Sequence, residues 1–389
     1  MGLKLRTAWL WLHRWTGLVL ATVWVLVGLS GSYLAFGPEI DRLLNPDWAT
    51  PQSAGPARPL AEVLAAAQAA EPHRFVHSVF PASGPQDVHH VWLTPSTSDD
   101  SRMWELLVDP ASARVLGQRE AVPTADFGRR NLGNAVYTLH MQLLLGERGR
   151  VLVGLSGLFL LASAITGLVL WWPRSRAGLR QALRIKPGAR GLRLHFDLHR
   201  SAGFYASLLL AMLGLTGAAM TFPGEARSVL NASGATMSPR PRWSAPLAPP
   251  RLDGDAAVAA ALRHAPGARL LCLWLPGASG PHWRVSLGEP GRVGAAEGRS
   301  EVWVDRQSGA LLVDRRFERN LPGDTVFDWL LPLHNGQVLG LAGRVLIAAA
   351  GLLPLLMAVT GTVIWLRKRR GRRAAERLKP RGRSLARPT

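Results

Sequence analysis

The 389-residue sequence predicts a membrane protein: a four-helix transmembrane bundle built by an internal two-span duplication, carrying two small α+β outer domains. Three observations lead there. Four charge-free stretches of 22 residues occur, Trp15 to Phe36, Val151 to Trp172, Ser201 to Phe222 and Val345 to Leu366. Each exceeds the roughly 20 apolar residues that cross a bilayer as a helix. The chain also repeats itself around these stretches, and its charge is confined to particular connections between them.

The repeat has two offsets. A shift of 186 residues places His13-Arg14-x-x-Gly17 on His199-Arg200-x-x-Gly203, Gly28-Leu29-Ser30-Gly31 on Gly214-Leu215-Thr216-Gly217, and Phe36 on Phe222. A shift of 194 places His140 on His334, Gly149-Arg150-Val151-Leu152 on Gly343-Arg344-Val345-Leu346, Thr166-Gly167 on Thr360-Gly361, and Trp171 on Trp365. Most apolar residues between these anchors differ. The first apolar run is longer than the core of a secretory signal, and its counterpart lies mid-chain, so it reads as a retained span.

Charge orients the spans. Lys4, Arg6 and Arg14 precede the first, the connector Pro173 to Arg200 carries eight basic residues against Asp197, and residues 367–389 carry eleven against Glu376. These segments hold the entire formal net charge of +20. The positive-inside rule therefore expects both termini and the basic connector (173–200) in the cytoplasm of a bacterial inner membrane. The basic excess reports topology and contact with anionic lipid, not a nucleic-acid partner. Residues 37–139 and 223–333 are expected in the periplasm, with 140–172 and 334–366 each an interfacial segment followed by a span. The single Cys272 excludes an intrachain disulfide and reads as core packing.

Each outer segment opens with a Pro-rich linker, Pro46 to Pro59 or Pro239 to Pro250, and continues with an Ala-rich amphipathic helix, Leu60 to Ala70 or Ala256 to His264. Pro72 and Pro266 stop these helices. Alternating strands follow. In the first copy they are a run ending at Phe80-Pro81, then Val91 to Leu93, Trp104 to Val108 and Val115-Leu116. In the second they are a run ending at Leu275-Pro276, then Trp283 to Leu287, Glu301 to Asp305 and Ala310 to Val313. Gln307-Ser308-Gly309 supplies hairpin chemistry, whereas Ala113 stands where the first copy's turn glycine belongs.

The four repeated histidines carry the chemistry. His13 and His199 lie at the cytoplasmic starts of spans one and three. His140 and His334 lie before spans two and four, separated from them by Gly-containing breaks, and so ride on short interfacial helices. Two halves of equal orientation are related by an axis along the membrane normal, which makes equivalent residues face each other. His13 then opposes His199, and His140 opposes His334. Each facing pair can supply the two axial imidazoles of one b-type haem, and on that reading two haems are expected, one near each face. With one cysteine and no C-x-x-C-H, both are non-covalent. The alternative is that such histidines are interfacial residues reaching water. His195, one turn before His199, either replaces it as ligand, bonds a propionate, or orients the ligand. Arg14, Arg200, Arg150 and Arg344 are candidate propionate partners, against snorkelling to lipid headgroups. Gly28, Gly31, Gly214 and Gly217 admit either a porphyrin or a neighbouring helix. Trp24 is the one tryptophan at mid-span, placed between haems or packed toward lipid. No Walker loop, H-E-x-x-H, G-x-S-x-G or dinucleotide fingerprint occurs, and the spans lack the ionisable residues of an ion pathway.

The outer pattern, amphipathic helix, Pro, strand and then W-V-D-x-x-S-G-x-L-L, resembles the PepSY domain. The two-span unit opening L-H-R-x-x-G and closing L-G-x-x-G-R-V-L…T-G…W resembles the PepSY-associated transmembrane family, over nearly the whole chain. That resemblance implies an iron-regulated, haem-containing reductase of a periplasmic ferric siderophore, releasing Fe(II) by outer-sphere electron transfer without acid–base residues. The donor would be a quinol or a cytoplasmic reductase. Two other readings stay open: an electron-transfer subunit for a separate periplasmic oxidoreductase, and a non-redox PepSY sensor in which the histidines are structural.

Overall fold

The computed structural model describes residues 3–173, 178–179, 182–239, 241–243, 249–277, 280–291 and 300–377. The basic connector falls partly outside this set, as does the tail beyond 377.

Three long helices coincide with the first three apolar runs: α1 (Leu3–Leu34), α6 (Gly146–Trp171) and α7 (Gly191–Thr221). The fourth run does not form one unbroken helix. α11 (Gly340–Ala350) ends at Gly351, and α12 (Leu353–Arg377) continues after it. Pro354 is the cause, since it brings no backbone N–H and its ring displaces the carbonyl one turn earlier. The Ser32 hydroxyl of α1 donates to the Ala348 carbonyl at 2.7 Å, satisfying a group at the break. Four helical segments are thus long and apolar enough to cross a membrane among the described residues, and a lipid bilayer is their environment.

Short helices leave spans one and three at the same end: α2 (Gly37–Leu44) and α3 (Pro46–Ala49) after α1, and α8 (Pro223–Ala232) after α7. Each then leads to a helix and four strands. In the first copy these are α4 (Leu60–Ala70), β1 (Phe75–Phe80), β2 (His89–Thr94), β3 (Trp104–Val108) and β4 (Val115–Glu120). In the second they are α9 (Gly254–His264), β5 (Arg269–Trp274), β6 (Trp283–Gly288), β7 (Ser300–Val304) and β8 (Leu311–Arg315). The expected helices and strands therefore appear within a few residues of their sequence positions, β4 running on past Leu116.

The two outer units are one body. Each leaves an edge strand whose backbone groups need partners, and β1 pairs antiparallel with β5 through Ser78↔Trp274 and Val79↔Leu273. The result is a single eight-stranded sheet in the order β4-β3-β2-β1-β5-β6-β7-β8. One buried cluster beneath α4 and α9 draws on both units, including Val63, Val79, Leu93, Ala261, Leu273 and Val285. α4 begins after Pro59, which offers no capping oxygen. Asp255 of the other unit takes that role, accepting from the Leu60 and Ala61 N–H groups at 2.9 and 2.8 Å.

The sheet's opposite face bears the alternate residues, Phe80, Trp92, Trp274 and Arg284 among them. It is tied by ion pairs to the short helices that adjoin the spans. Arg119 of β4 reaches Asp41 of α2 at 2.8 Å, and Arg315 of β8 reaches Asp324 at 3.4 Å at the start of α10 (Pro322–His334). From β4 the chain passes to α5 (Leu132–Gln142). α5 and α10 are the short helices expected to carry His140 and His334.

Candidate functional site

Two pairs of imidazoles face each other, one toward either end of the bundle. His13 and His199 have ring centroids 6.3 Å apart with planes at 80°. His140 and His334, at the sheet-proximal end, have centroids 6.3 Å apart with planes at 69°. The sequence pairing is the spatial pairing. Among the described residues no three His, Cys, Asp or Glu side chains gather as a metal site, so each pair stands without a third ligand of these types.

Every ring rests on the same local feature, a Ser/Thr-Gly dipeptide on a span of its own half. A Cβ placed on Gly31, Gly167, Gly217 or Gly361 would lie 3.0, 3.2, 3.2 and 3.2 Å from the Cε1 of His140, His13, His334 and His199 respectively. The preceding hydroxyl meets the ring's Nδ1. These contacts are Ser30 to His140 at 3.1 Å, Thr166 to His13 at 3.1 Å, Thr216 to His334 at 2.8 Å, and Thr360 to His199 at 2.9 Å. The backbone carbonyls of Val27 and Ser163 also lie 3.0 and 3.1 Å from the Nδ1 atoms of His140 and His13. Nε2 makes no hydrogen bond within the described residues in any of the four. Each half of the chain thus holds its own two rings, and each ring faces one from the other half.

The turns that deliver His140 and His334 depend on close backbone crossings. After α5 the chain reverses through Leu143 and Leu144, both left-handed (φ 50° and 59°), and α6 departs so near that a Cβ at Gly149 would overlap the Gln142 carbonyl. The α10–α11 turn repeats this with Gly336 left-handed at φ 82° and Gly343 against the Gly336 carbonyl. Burial holds both imidazoles below the ordinary histidine value, and His334 falls to about 4 through burial first and the neighbouring His140 second. Neutral rings are the form in which imidazole binds a metal.

Gly28 and Gly214, by contrast, serve helix packing. A Cβ on Gly28 would sit 2.5 Å from the Gly351 carbonyl oxygen, and one on Gly214 would sit 2.6 Å from that of Gly157. The four glycines first grouped together divide into two ring seats, Gly31 and Gly217, and two helix contacts. Trp24 faces a helix: its indole donates to the Ser156 carbonyl of α6 at 3.0 Å.

His195 is not opposite His13, a position His199 occupies, and its Nδ1 is buried without a hydrogen-bond partner within the described residues. The arginines are largely committed to protein. Arg150 donates to the Thr221 carbonyl at 2.7 Å and pairs with Glu147. Arg344 donates to the Ala35 carbonyl at 2.9 Å and pairs with Glu39 at 2.7 Å. Arg200 lies 3.4 Å from the fully buried Asp197, which also holds Arg193. Arg14 lies over the Trp15 ring at 5.3 Å, with its Nε buried and unpartnered within the described residues. Sequence reasoning missed the four ring-bearing hydroxyls, although the Ser/Thr-Gly dipeptide recurs in all four spans.

A four-span membrane protein with a single sheet at one end of its bundle, and facing histidines at both ends of it, is the class these features define. The chain belongs to the PepSY-associated TM region family, whose profile matches residues 10–368. No curated protein matches the chain.

Proposed function

We propose that the protein is a di-haem b electron-transfer protein of the bacterial inner membrane, reducing a periplasmic ferric siderophore to release Fe(II). The observation that carries the reading is the 6.3 Å separation of both ring pairs. A metal–imidazole bond is about 2 Å and each nitrogen lies about 1 Å from its ring centre, so two rings on opposite sides of one metal atom have centroids roughly 6 Å apart. Two ligands are too few for a bare transition-metal ion, which takes four or more. They would suit a metal that arrives with ligands of its own, as haem iron does. The neutral rings and the absence of thioether-forming cysteines fit the same group, held without covalent links.

His13 with His199, and His140 with His334, would hold the two haems. Bound there, haem supplies a one-electron carrier near each membrane face. The chain's own part is to hold, separate and insulate these sites: α1, α6, α7 and α12 exclude water, and the glycine crossings bring the halves into contact. The internal duplication accounts for the equivalent placement of all four histidines. Positive-inside charge puts the His13–His199 end and both termini in the cytoplasm, facing a quinol or cytoplasmic reductase as donor. The sheet, built of two PepSY-like units, then lies in the periplasm over the His140–His334 end. Its bundle-side face, with Phe80, Trp92, Trp274 and Arg284, is the docking surface for the ferric chelate. Reduction releases iron because Fe(II) binds hard oxygen ligands far more weakly than Fe(III).

The test is the reduced-minus-oxidised visible spectrum of the purified protein, expressed with ample haem, with haem and protein quantified together. Two low-spin b haems per chain are expected, one of them lost in His140→Ala or His334→Ala. A chain with no Soret band would overturn the reading and favour a non-redox membrane module. Two haems without reduction of a ferric siderophore would favour an electron-transfer subunit for another oxidoreductase.

A further inference from the structure

We infer that Ser30, Thr166, Thr216 and Thr360 are positioning residues that fix the tautomer of the four imidazoles before any metal arrives; this rests on the di-haem reading above. The hydroxyl proton of each is already committed to its own helix. Ser30 donates to the Leu26 carbonyl at 2.7 Å, Thr166 to Ser163 at 3.0 Å, Thr216 to Met212 at 2.8 Å, and Thr360 to Leu356 at 2.6 Å. A hydroxyl has one proton, so toward the histidine it offers only lone pairs. The Nδ1 opposite it must therefore bring the hydrogen. The Val27 and Ser163 carbonyls, which can only accept, impose the same requirement on His140 and His13. With hydrogen on Nδ1, a neutral ring carries its lone pair on Nε2, the nitrogen left for a metal. The glycine beside each hydroxyl sets the ring's distance from the span, and the hydroxyl sets its rotation.

The four seats share one design, a hydroxyl and the carbonyl three residues before it. His13 and His140 divide their hydrogen between a hydroxyl and a carbonyl, each at 3.0–3.1 Å. His199 and His334 have shorter hydroxyl contacts, 2.9 and 2.8 Å, and face the carbonyls of Met357 and Leu213 in the same way. Loss of any of the four hydroxyls removes one acceptor and leaves a carbonyl that still requires the hydrogen on Nδ1. An acceptor on Nδ1–H makes the ring a stronger donor through Nε2 and favours the ferric state, so each loss raises the midpoint potential of the haem concerned.

The experiment compares Thr360→Val, Thr216→Val, Thr166→Val and Ser30→Ala with Thr360→Ser and Thr216→Ser in the full chain. Readouts are haem per chain, redox titration and the low-spin ferric EPR signal. Thr360→Val and Thr216→Val should each move one haem to higher potential, shifting its oxidised-to-reduced ratio at fixed potential about fivefold, the worth of one hydrogen bond of about 1 kcal/mol. The serine variants should restore the wild-type potential, and Thr166→Val and Ser30→Ala should move it in the same direction as the other two losses. Two haems in every variant with potentials and EPR signals unchanged would overturn the inference while leaving the di-haem reading intact. Equal shifts in the valine and serine variants would also overturn it, since packing alone would then be responsible. A wild-type chain without haem overturns both.

Discussion

The ring of His140 sits on Gly31, so close that a Cβ there would lie 3.0 Å from its Cε1. Contacts that short require the ring or the helix to give way. On the di-haem proposal, Gly31→Val should displace the imidazole and cost the sheet-proximal haem, leaving one per chain by pyridine haemochrome assay. Gly17 belongs to an equally repeated motif but has nothing within 4 Å of a built Cβ. Gly17→Ala should leave both haems bound, and equal loss from the two substitutions would show that the seat is not what Gly31 provides.

Helix packing gives a second prediction with a different readout. Gly28 and Gly351 bring α1 and the broken fourth span together backbone to backbone, a Cβ at Gly28 meeting a carbonyl oxygen at 2.5 Å. The obstruction is backbone at a helix break, which cannot swing aside like a side chain. Gly28→Ala should destabilise the bundle by about 2 kcal/mol, read as a lower melting temperature in detergent. Gly214→Ala, at the equivalent contact with Gly157, should do the same, whereas Gly203→Ala meets only the Met357 sulfur at 3.7 Å and should be neutral.

Much of this arrangement was legible in the sequence because the chain states it twice. Charge-free runs locate the spans, strand alternation locates the outer strands, and the shared orientation of the halves makes the histidines meet in pairs. Contacts between spans were harder to read. The order of residues does not reveal that α6 carries the seat for His13 on α1, or that Gly28 and Gly31, three residues apart on one helix, meet different partners. The break at Gly351 was signalled by Pro354 yet hidden in an apolar run. The joining of two outer units into one sheet follows from edge strands left open in each, a property of the folded units that neither unit's sequence displays.

A buried charge chain anchors the sheet to α2, the short helix after the first span, and its pH dependence can be worked out. Glu105 accepts from His90 at 2.6 Å and from Arg119 at 2.5 Å, and Arg119 continues to Asp41 at 2.8 Å. Burial alone would lower the His90 value, but the Asp87 and Glu105 carboxylates outweigh it and push the ring up to about 9. Burial alone would raise Glu105, but Arg119 and His90 hold it far below the usual carboxylate range. The raised histidine contributes stability that is complete below its unfolded value near 6.5 and lost as pH rises through about 9. The depressed glutamate contributes stability present above about 4.3 and lost as pH falls. Thermal unfolding of the sheet should therefore be hardest between about pH 4.3 and 6.5 and ease on both sides. Glu105→Gln, which leaves Arg119 buried with Asp41 alone, should cost about 3 kcal/mol and flatten the alkaline limb. An alkaline limb of unchanged slope in that variant would rule out His90 as its source.

The last prediction concerns a turn at which the two halves chose different residues. Ala113 adopts φ 56° and Gly309, at the matching place, φ 74°, so the backbone is left-handed in both while only one residue is suited to it. Gly309→Ala meets no steric obstacle, its nearest neighbour being Leu252 at 3.6 Å. Its cost is the left-handed strain itself, about 1 kcal/mol. Ala113→Gly relieves that strain but gives up a methyl that is 8% exposed in the shared core, worth about 0.8 kcal/mol, and loosens the unfolded chain by a further 0.5 kcal/mol or so. Gains and losses nearly cancel, so the reciprocal substitutions should be unequal, one a clear destabilisation and the other within about 0.5 kcal/mol of neutral. Urea denaturation followed by tryptophan fluorescence would measure both, and a marked stabilisation by Ala113→Gly would mean that the buried methyl contributes little to the core.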